Sequence, residues 1–427
     1  MKTDPHLAIN GGRKIVEVPF KRYNSMGPEE AEAAANVVRS GVLSQFIGCW
    51  EPDFFGGPKV QEFERACERY FGVRHAVTVN SWTSGLVAAV GAIGIEPGDE
   101  VIVTPWTMAA SATAILHWNA IPVFADIESE TFNIDPESIL RNITPQTKAI
   151  MAVDIFGHSC DIDMIMKIAE KHGLKVIGDT AQAPGTFNKG RVTGTLAHVG
   201  GYSLNYHKHI HTGEGGILVT NDDVVAERLQ LIRNHAEAVV AGKGVQDLCN
   251  MIGHNFRLGE IEAAIGIEQL KKLQRLVQSR QKAAERLTMG LKGLPGLRLP
   301  IVKNGYTHAY YMYPMILDLK ILGTNREWIH SALEAEGVQG LAAGYANIHR
   351  LPMYQKKIAY GRGGFPWTAD FCKRDVSYAK GICPVAEDLH DRTYLGFEMC
   401  MNELKNEDID LIVAAFKKVW SFLVNPR

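Results

Sequence analysis

Lys175-Val-Ile-Gly-Asp-Thr-Ala-Gln182 is a short apolar strand that runs straight into polar residues. The segments around it repeat the same design. Upstream, Asp161 can cap a helix whose Ile162, Ile165 and Ala169 share one face, and Gly173 ends it. Further upstream, Lys148 to Phe156 is a long apolar strand, and Asp135-Pro136-Glu137 forms an N-cap with proline at the first helical position. Before that come strands at Ala76–Val79, Val101–Val103 and Pro122–Ala125. The first two are followed by helices, from Thr83 to about Ile93 (closed by Gly94) and on to about Trp118. Downstream, strands Gly200–Leu204 and Gly216–Thr220 lead to a helix with Val225, Leu229 and Ile232 on one face. Strands alternating with helices in this way predict an α/β layer with a mostly parallel sheet.

The pattern changes after about residue 258. Ile261, Ala264 and Ile265, then Leu270, Leu273 and Val277, predict one long helix or two in series. Beyond about residue 290 the chain mixes a strand (Tyr310–Leu317), helices and a glycine-rich loop, Gly361-Arg-Gly-Gly-Phe-Pro366. The expected organisation is a large α/β domain over 1–270, with an N-terminal arm over 1–30, and a smaller C-terminal α+β domain over 271–427.

The chain has 427 residues, 46% of them apolar and 22% charged, enough for a large core and two domains. Lysine and arginine total 45 against 47 for aspartate and glutamate. That balance offers no electrostatic footprint for nucleic acid, and no basic segment marks a membrane surface. No apolar run approaches the roughly 18–20 residues of a membrane span. The N-terminal residues MKTDPHLAIN lack the apolar core of a signal peptide. The seven cysteines (49, 67, 160, 249, 372, 383 and 400) include no C-x-x-C pair. Neither structural zinc nor a disulfide framework is expected. A soluble, cytoplasmic protein is the expectation.

Candidate chemistry lies at the strand ends, because open α/β sheets bind ligands outside the carboxyl ends of their strands. Asn80-Ser-Trp-Thr-Ser84, Asp179-Thr-Ala-Gln182 and Ser203-Leu-Asn-Tyr-His-Lys208 end three strands. Thr83 and Ser84 open a helix, where free N–H groups and hydroxyls favour a phosphate; Ser and Thr are also ordinary N-caps. Asp179 is either a loop cap or a fixed anion facing a cation in a dry site, and Gln182 can donate a hydrogen bond to the same place. Most lysines are solvated surface charges. Lys208 instead just follows a strand and precedes Thr212-Gly-Glu-Gly-Gly216, and a desolvated amine there can form a Schiff base. A phosphate cradle, an anion for a ring nitrogen, a hydrogen-bond donor and a Schiff-base lysine are together what pyridoxal 5′-phosphate (PLP) requires.

The order of motifs resembles the DegT/StrS-type sugar aminotransferases, PLP enzymes of the aspartate aminotransferase fold (fold type I, with a seven-stranded sheet). The resemblance runs from about Pro19 to the C-terminus. It is carried by Gly98-Asp-Glu-Val-Ile102, Asp179-Thr-Ala-Gln182, Ser203 with Lys208, Thr212-Gly-Glu-Gly-Gly216, and Gly253-His-Asn-Phe-Arg257 leading to Glu260 and Ala263-Ala264. It implies that Lys208 holds PLP as a Schiff base and shuttles the proton, and that Asp179 pairs with the pyridine nitrogen. Gln182 would contact the ring hydroxyl, and Thr83, the backbone at Trp82 and Ser203 would bind the phosphate. Asn255 or Arg257 would reach the phosphate of the neighbouring subunit, which implies a homodimer. The chain departs from the family at two places. Trp82 stands where the family usually has glycine or alanine, so its side chain must point away. Met108 stands where an aromatic ring usually stacks on PLP, and either Met108 or Trp106 takes that role.

Other residues are open to two readings. His207, His209 and His211 alternate around Lys208. No metal site is expected from them, and His209 and His211 either orient substrate hydroxyls or are plain loop residues. Tyr311, Tyr313, Asn347 and His349 lie where the family approaches its substrate; they otherwise serve packing. Trp50, Phe54 and Phe55 either stack on a sugar or base or pack at an interface. The implied reaction moves an amino group from L-glutamate or L-glutamine to a keto sugar, most often nucleotide-linked. The alternative is a ketocyclitol such as scyllo-inosose, because Cys383-Pro-Val-Ala-Glu-Asp-Leu-His390 and Gly11-Gly12 resemble the cyclitol and aminohydroxybenzoate branch. A PLP-dependent sugar dehydratase is opposed by Lys208, since those relatives carry histidine there. A non-catalytic PLP-binding protein is opposed by the intact Asp179, Gln182 and Lys208.

Overall fold

The computed structural model describes residues 6–424, so residues 1–5 of the expected arm and 425–427 lie outside the described residues. Seven strands build the main sheet: β1 (His75–Val79), β2 (Glu100–Val103), β3 (Ile121–Phe124), β4 (Thr147–Val153), β5 (Lys175–Asp179), β8 (Val199–Ser203) and β9 (Gly216–Thr220). Between β5 and β8 lies a small hairpin, β6 (Phe187–Asn188) and β7 (Arg191–Val192). The sheet order is β1-β9-β8-β5-β4-β2-β3, and only β9 runs against the others. The mostly parallel seven-stranded α/β architecture is therefore present. Its strands are buried on both faces, which is why Val101–Val103 and Ile150–Val153 read as continuous apolar runs.

The helices start and stop where capping chemistry places them. Asp135 accepts hydrogen bonds from the N–H groups of Glu137 and Ser138, and Asp161 accepts from Met164. Gly173 closes its helix in the left-handed region, at φ 67°. The strand expected over Lys148–Phe156 ends instead at Val153, because Phe156 turns the chain at φ 58°. The helical pattern after residue 258 is one helix, Glu260–Leu291.

That helix crosses the expected domain boundary at 270/271. Its first half packs Ala263, Leu270 and Leu273 beneath the large sheet, and its second half gives Ala284, Leu287 and Leu291 to a second core. The second core lies on a four-stranded sheet of β10 (Leu297–Arg298), β11 (Met312–Leu317), β12 (Leu341–Ala343) and β13 (Tyr394–Glu398), ordered β10-β11-β13-β12. The segment from about 345 to 389 returns to the large domain. Its Tyr354, Trp367 and Tyr378 join the first core, and Arg374 pairs with the buried Glu100. The amides of Val385 and Ala386 donate to Asp126 at 2.8 and 3.0 Å. No helix among the described residues is long and apolar enough to cross a membrane.

The N-terminal arm docks on the second core through Leu7, Val16 and Phe20. Glu336, fully buried, fixes it there. Its carboxylate accepts from the amides of Ala8 (2.9 Å) and Ile15 (3.2 Å) and from Lys418 Nζ (2.8 Å), and its carbonyl accepts from Val16 (2.8 Å). Removing one partner of a buried, hydrogen-bonded ion pair costs about 3 kcal/mol or more. Glu336→Ala is therefore expected to lower the melting temperature and to speed amide exchange over residues 7–17 ahead of the rest of the chain, which hydrogen-exchange mass spectrometry reads directly.

Candidate active site

The sheet register assembles the site. Val79 lies beside Gly216, and Gly216 beside Ser203, so the end of β1, the start of β9 and the end of β8 meet at one edge. Val153 pairs with Asp179, and Asp179 with Gly201, continuing the same edge across β4, β5 and β8. A cleft of about 180 Å³ opens there. It is lined by Trp82, Thr83, Met108, Asp179, Gln182, Ser203 and Lys208, all expected from the sequence, together with Ser111, Asn205, His207 and Glu214.

At one end of the cleft the helix Trp82–Ala92 begins. Ser81 is its N-cap, and Ser81 Oγ accepts from Ser84 N at 3.1 Å. The N–H groups of Trp82 and Thr83 meet no acceptor among the described residues. The Thr83 and Ser203 hydroxyls share this cleft, a donor set suited to a phosphate at a helix N-terminus.

Asp179 is 5% exposed, and no Lys, Arg or His among the described residues pairs with it. Its partners are dipoles. Trp82 Nε1 donates to Oδ1 at 2.7 Å, Ala181 N to Oδ1 at 3.3 Å, and Ser111 Oγ to Oδ2 at 2.7 Å. Ser111 and Thr107 share a further hydrogen bond at 3.0 Å. Gln182 is held at both ends of its amide: Oε1 accepts from Phe156 N at 2.8 Å, and Nε2 donates to Tyr345 Oη at 3.2 Å. Tyr345 thus ties Gln182 to the segment that returns from the second sheet.

Lys208 is 8% exposed and pairs with no carboxylate among the described residues. Its Nζ sits over the Tyr311 ring, 4.4 Å from the centroid. Burial pushes its ammonium down from 10.5 to about 8, against the weaker opposing pull of Cys400 and Asp179. His207 is pushed down to about 4 by burial and by Lys208, so it is neutral at pH 7.

Several expected residues lie outside the cleft. Trp106 is fully buried, with its ring centroid 5.3 Å from that of Tyr394 and 6.2 Å from that of Phe132, so it packs the core and does not stack in the cleft. Met108, 61% exposed, stands at the rim instead. His209 is buried behind Lys208 with Nε2 on the Ala309 carbonyl at 2.9 Å, and His211 turns toward Gln269 and Gly213. The three alternating histidines diverge, and among the described residues no three His, Cys, Asp or Glu gather as a metal site. His349 is fully buried and pairs with Glu387 at 3.0 Å; Tyr313 is core, bonded to Thr288; Asn347 donates to the Ala386 carbonyl. Asn255 and Arg257 also lie away from this cleft. The Asn255 carbonyl accepts from Asn80 Nδ2, and Arg257 Nε donates to Asn234 Oδ1 at 2.9 Å. Trp50, Phe54 and Phe55 pack edge-to-face on one another, and Lys243 covers Trp50.

The residues missed in the sequence are Ser111, Thr107 and Tyr345. The only signal for Ser111 and Thr107 was a hydroxyl in the first turns after a strand end, which many helices share. Tyr345 is brought in by contacts more than a hundred residues apart.

A lysine held at about 8 in the folded chain and 10.5 in the unfolded one lowers stability while it is charged. The penalty is full below pH 8, fades between 8 and 10.5, and vanishes above, and at 1.36 kcal/mol per unit it is about 3 kcal/mol. Lys208→Met should raise the melting temperature of the cofactor-free protein at pH 7, with the gain shrinking as pH rises past 8. Thermal melts over pH 6.5–10.5 check this.

The geometry agrees with the comparisons to known proteins. The sequence profile of the DegT/DnrJ/EryC1/StrS aminotransferase family matches residues 51–381. The chain is 35% identical over 358 residues to the spore coat polysaccharide biosynthesis protein SpsC of Bacillus subtilis (strain 168), covering 82% of this chain and 89% of SpsC. It is 33% identical over 329 residues to the GDP-perosamine synthase of Vibrio cholerae, covering 77% and 87%. Among solved structures, the aminotransferase from Psychrobacter cryohalolentis superposes with a TM-score of 0.80 at 28% identity over 95% of this chain and 100% of that one. DesI in the presence of its TDP-sugar product superposes with a TM-score of 0.80 at 25% identity over 99% and 97%. A matched profile across most of the chain, on a mostly parallel seven-stranded sheet, means that this protein belongs to the DegT/DnrJ/EryC1/StrS aminotransferase family and is an aminotransferase.

Proposed function

We propose that the chain is a PLP-dependent aminotransferase that moves the amino group of L-glutamate, or L-glutamine, to the carbonyl of a nucleotide-linked keto sugar. The observation that carries this reading is a buried carboxylate, Asp179, that no Lys, Arg or His among the described residues pairs with, sharing a cleft with a desolvated lysine, Lys208. A buried anion without a counter-charge is costly, and a protonated ring nitrogen is the charge that would complete it. When bound, PLP supplies an electrophilic carbon for an amine and a ring that accepts the electron pair released at the substrate's α-carbon.

The chain's own groups divide the remaining tasks. The N–H groups of Trp82 and Thr83 and the hydroxyls of Thr83 and Ser203 hold the phosphate. Asp179 would pair with the ring nitrogen, and Gln182, fixed between Phe156 and Tyr345, would contact the ring hydroxyl. Lys208 holds the cofactor between turnovers and moves the proton at the carbon that gains or loses the amine. With its ammonium at about 8 in the cofactor-free cleft, about a tenth is neutral at pH 7, so proton transfer in either direction is accessible. Tyr311 beneath Nζ shields the amine from water. Asn255 and Arg257 do not line the cleft of their own chain, which fits the role of reaching a partner's cleft in a homodimer.

The sugar assignment is supported by the relatives that carry named sugars, GDP-perosamine synthase and DesI with its TDP-sugar product. It is also supported by the rim of the cleft, where Met108 is 61% exposed and offers apolar contact surface. A ketocyclitol acceptor is the second reading, favoured by the segment Cys383–His390.

The purified protein with PLP should absorb near ~420 nm, and L-glutamate should shift the band to near ~330 nm. A band indifferent to both L-glutamate and L-glutamine would overturn the donor assignment. Lys208→Ala should cost at least about a thousandfold in turnover. Uridine or thymidine diphosphate should inhibit a nucleotide-sugar enzyme and leave a cyclitol enzyme untouched.

A further inference from the structure

The side chain of Trp82 solves a steric problem and makes a contact that glycine or alanine at this position could not. Its indole packs against the sheet, 6% exposed, beside the cleft that Asp179 lines. Room for it is made by two glycines. A Cβ on Gly201 of β8 would come within 2.1 Å of the Ile217 carbonyl oxygen and within 2.5 Å of indole Cη2 and Cζ3, and a Cβ on Gly85, one turn along the helix, within 2.9 Å of Cε3. The six-membered ring is thus pinned between strand and helix, and its opposite, polar edge meets Asp179, with Nε1 to Oδ1 at 2.7 Å. The register that pairs Asp179 with Gly201 sets this reach.

The hydrogen bonds to Asp179 define what remains. A carboxylate offers about four acceptor sites. Trp82 and Ala181 take two on Oδ1, and Ser111 takes one on Oδ2. One acceptor site on Oδ2 is left for a donor in the cleft that Asp179 lines. We propose that Trp82 is a positioning residue: its indole N–H, locked by Gly85 and Gly201, fixes the plane of the Asp179 carboxylate so that Oδ2 is presented to a cationic ring nitrogen. This inference rests on the PLP reading above. It assigns to the protein's own tryptophan part of the orientation of its cofactor.

The test is a double-mutant cycle on PLP affinity, read by absorbance titration, with Trp82→Phe and Asp179→Asn. Trp82→Phe keeps an aromatic ring on the two glycines and removes only the N–H donor. It should raise the PLP dissociation constant about tenfold, the scale of one hydrogen bond to a charged group. In the Asp179→Asn background the same change should have little effect, because Trp82 acts through the carboxylate. Unchanged affinity in Trp82→Phe, or an equal loss in both backgrounds, overturns the proposal while leaving the PLP reading intact. A native protein that binds no PLP overturns that reading and this inference with it.

A second measurement does not depend on Trp82→Phe folding. In the cofactor-free protein labelled with ¹⁵N-tryptophan, one of the seven indole N–H signals should move in Asp179→Asn while the other six stay. If none moves, the hydrogen bond is absent and the proposal falls.

Discussion

A carboxylate buried without a cation is unstable unless its surroundings are arranged for it, and the site of this protein is organised around one such group. Asp179 ends β5 at the edge where the parallel strands terminate, and it is held by an indole, a hydroxyl and a backbone amide. Dipoles hold a carboxylate without neutralising it, so the group keeps an unfilled demand for positive charge. The neighbouring β8 carries Gly201, without which the indole could not lie flat, and then leads to Ser203 and Lys208.

The same edge sets Lys208 apart from a surface lysine. Its stem is packed, its ammonium lies against the Tyr311 ring, and no carboxylate among the described residues forms an ion pair with it. Burial therefore lowers the affinity for the proton and lowers stability with it. A site of this kind sustains its strain only if the frame is rigid. The frame comes from both parts of the fold, since Tyr345 and Tyr311 reach the cleft from the second sheet and the segment that follows it, while Glu100 and Asp126 of the large sheet anchor that returning segment.

Much of this was legible in the sequence because it is local. Asp135, Asp161 and Gly173 are caps whose effect is complete within a turn, and the apolar runs of β2, β4 and β5 report burial on both faces directly. Strand ends carrying Asp179, Ser203 and Lys208 followed from the alternation of elements, and the sheet register brings them to one cleft. What was hidden depends on partners distant in the chain. The direction of Trp82 is decided by a glycine more than a hundred residues away. Trp106 was expected near the cofactor, yet it is drawn into an aromatic cluster with Phe132, Phe156 and Tyr394. His349, open to a substrate or a packing role, is buried and hydrogen-bonded to Glu387. The segment from 345 to 389 lies between β12 and β13 of the second sheet in sequence but packs with the first core. Periodicity cannot reveal that, because the same apolar spacing suits either surface.

The central claim is that Lys208 is the amine that bonds the cofactor. The direct measurement is borohydride reduction of the protein equilibrated with PLP, followed by peptide mass mapping. The account predicts a single peptide carrying the reduced pyridoxyl phosphate group, with the modification on Lys208. Label on another lysine, or label spread over surface lysines with Lys208 unmodified, would contradict it.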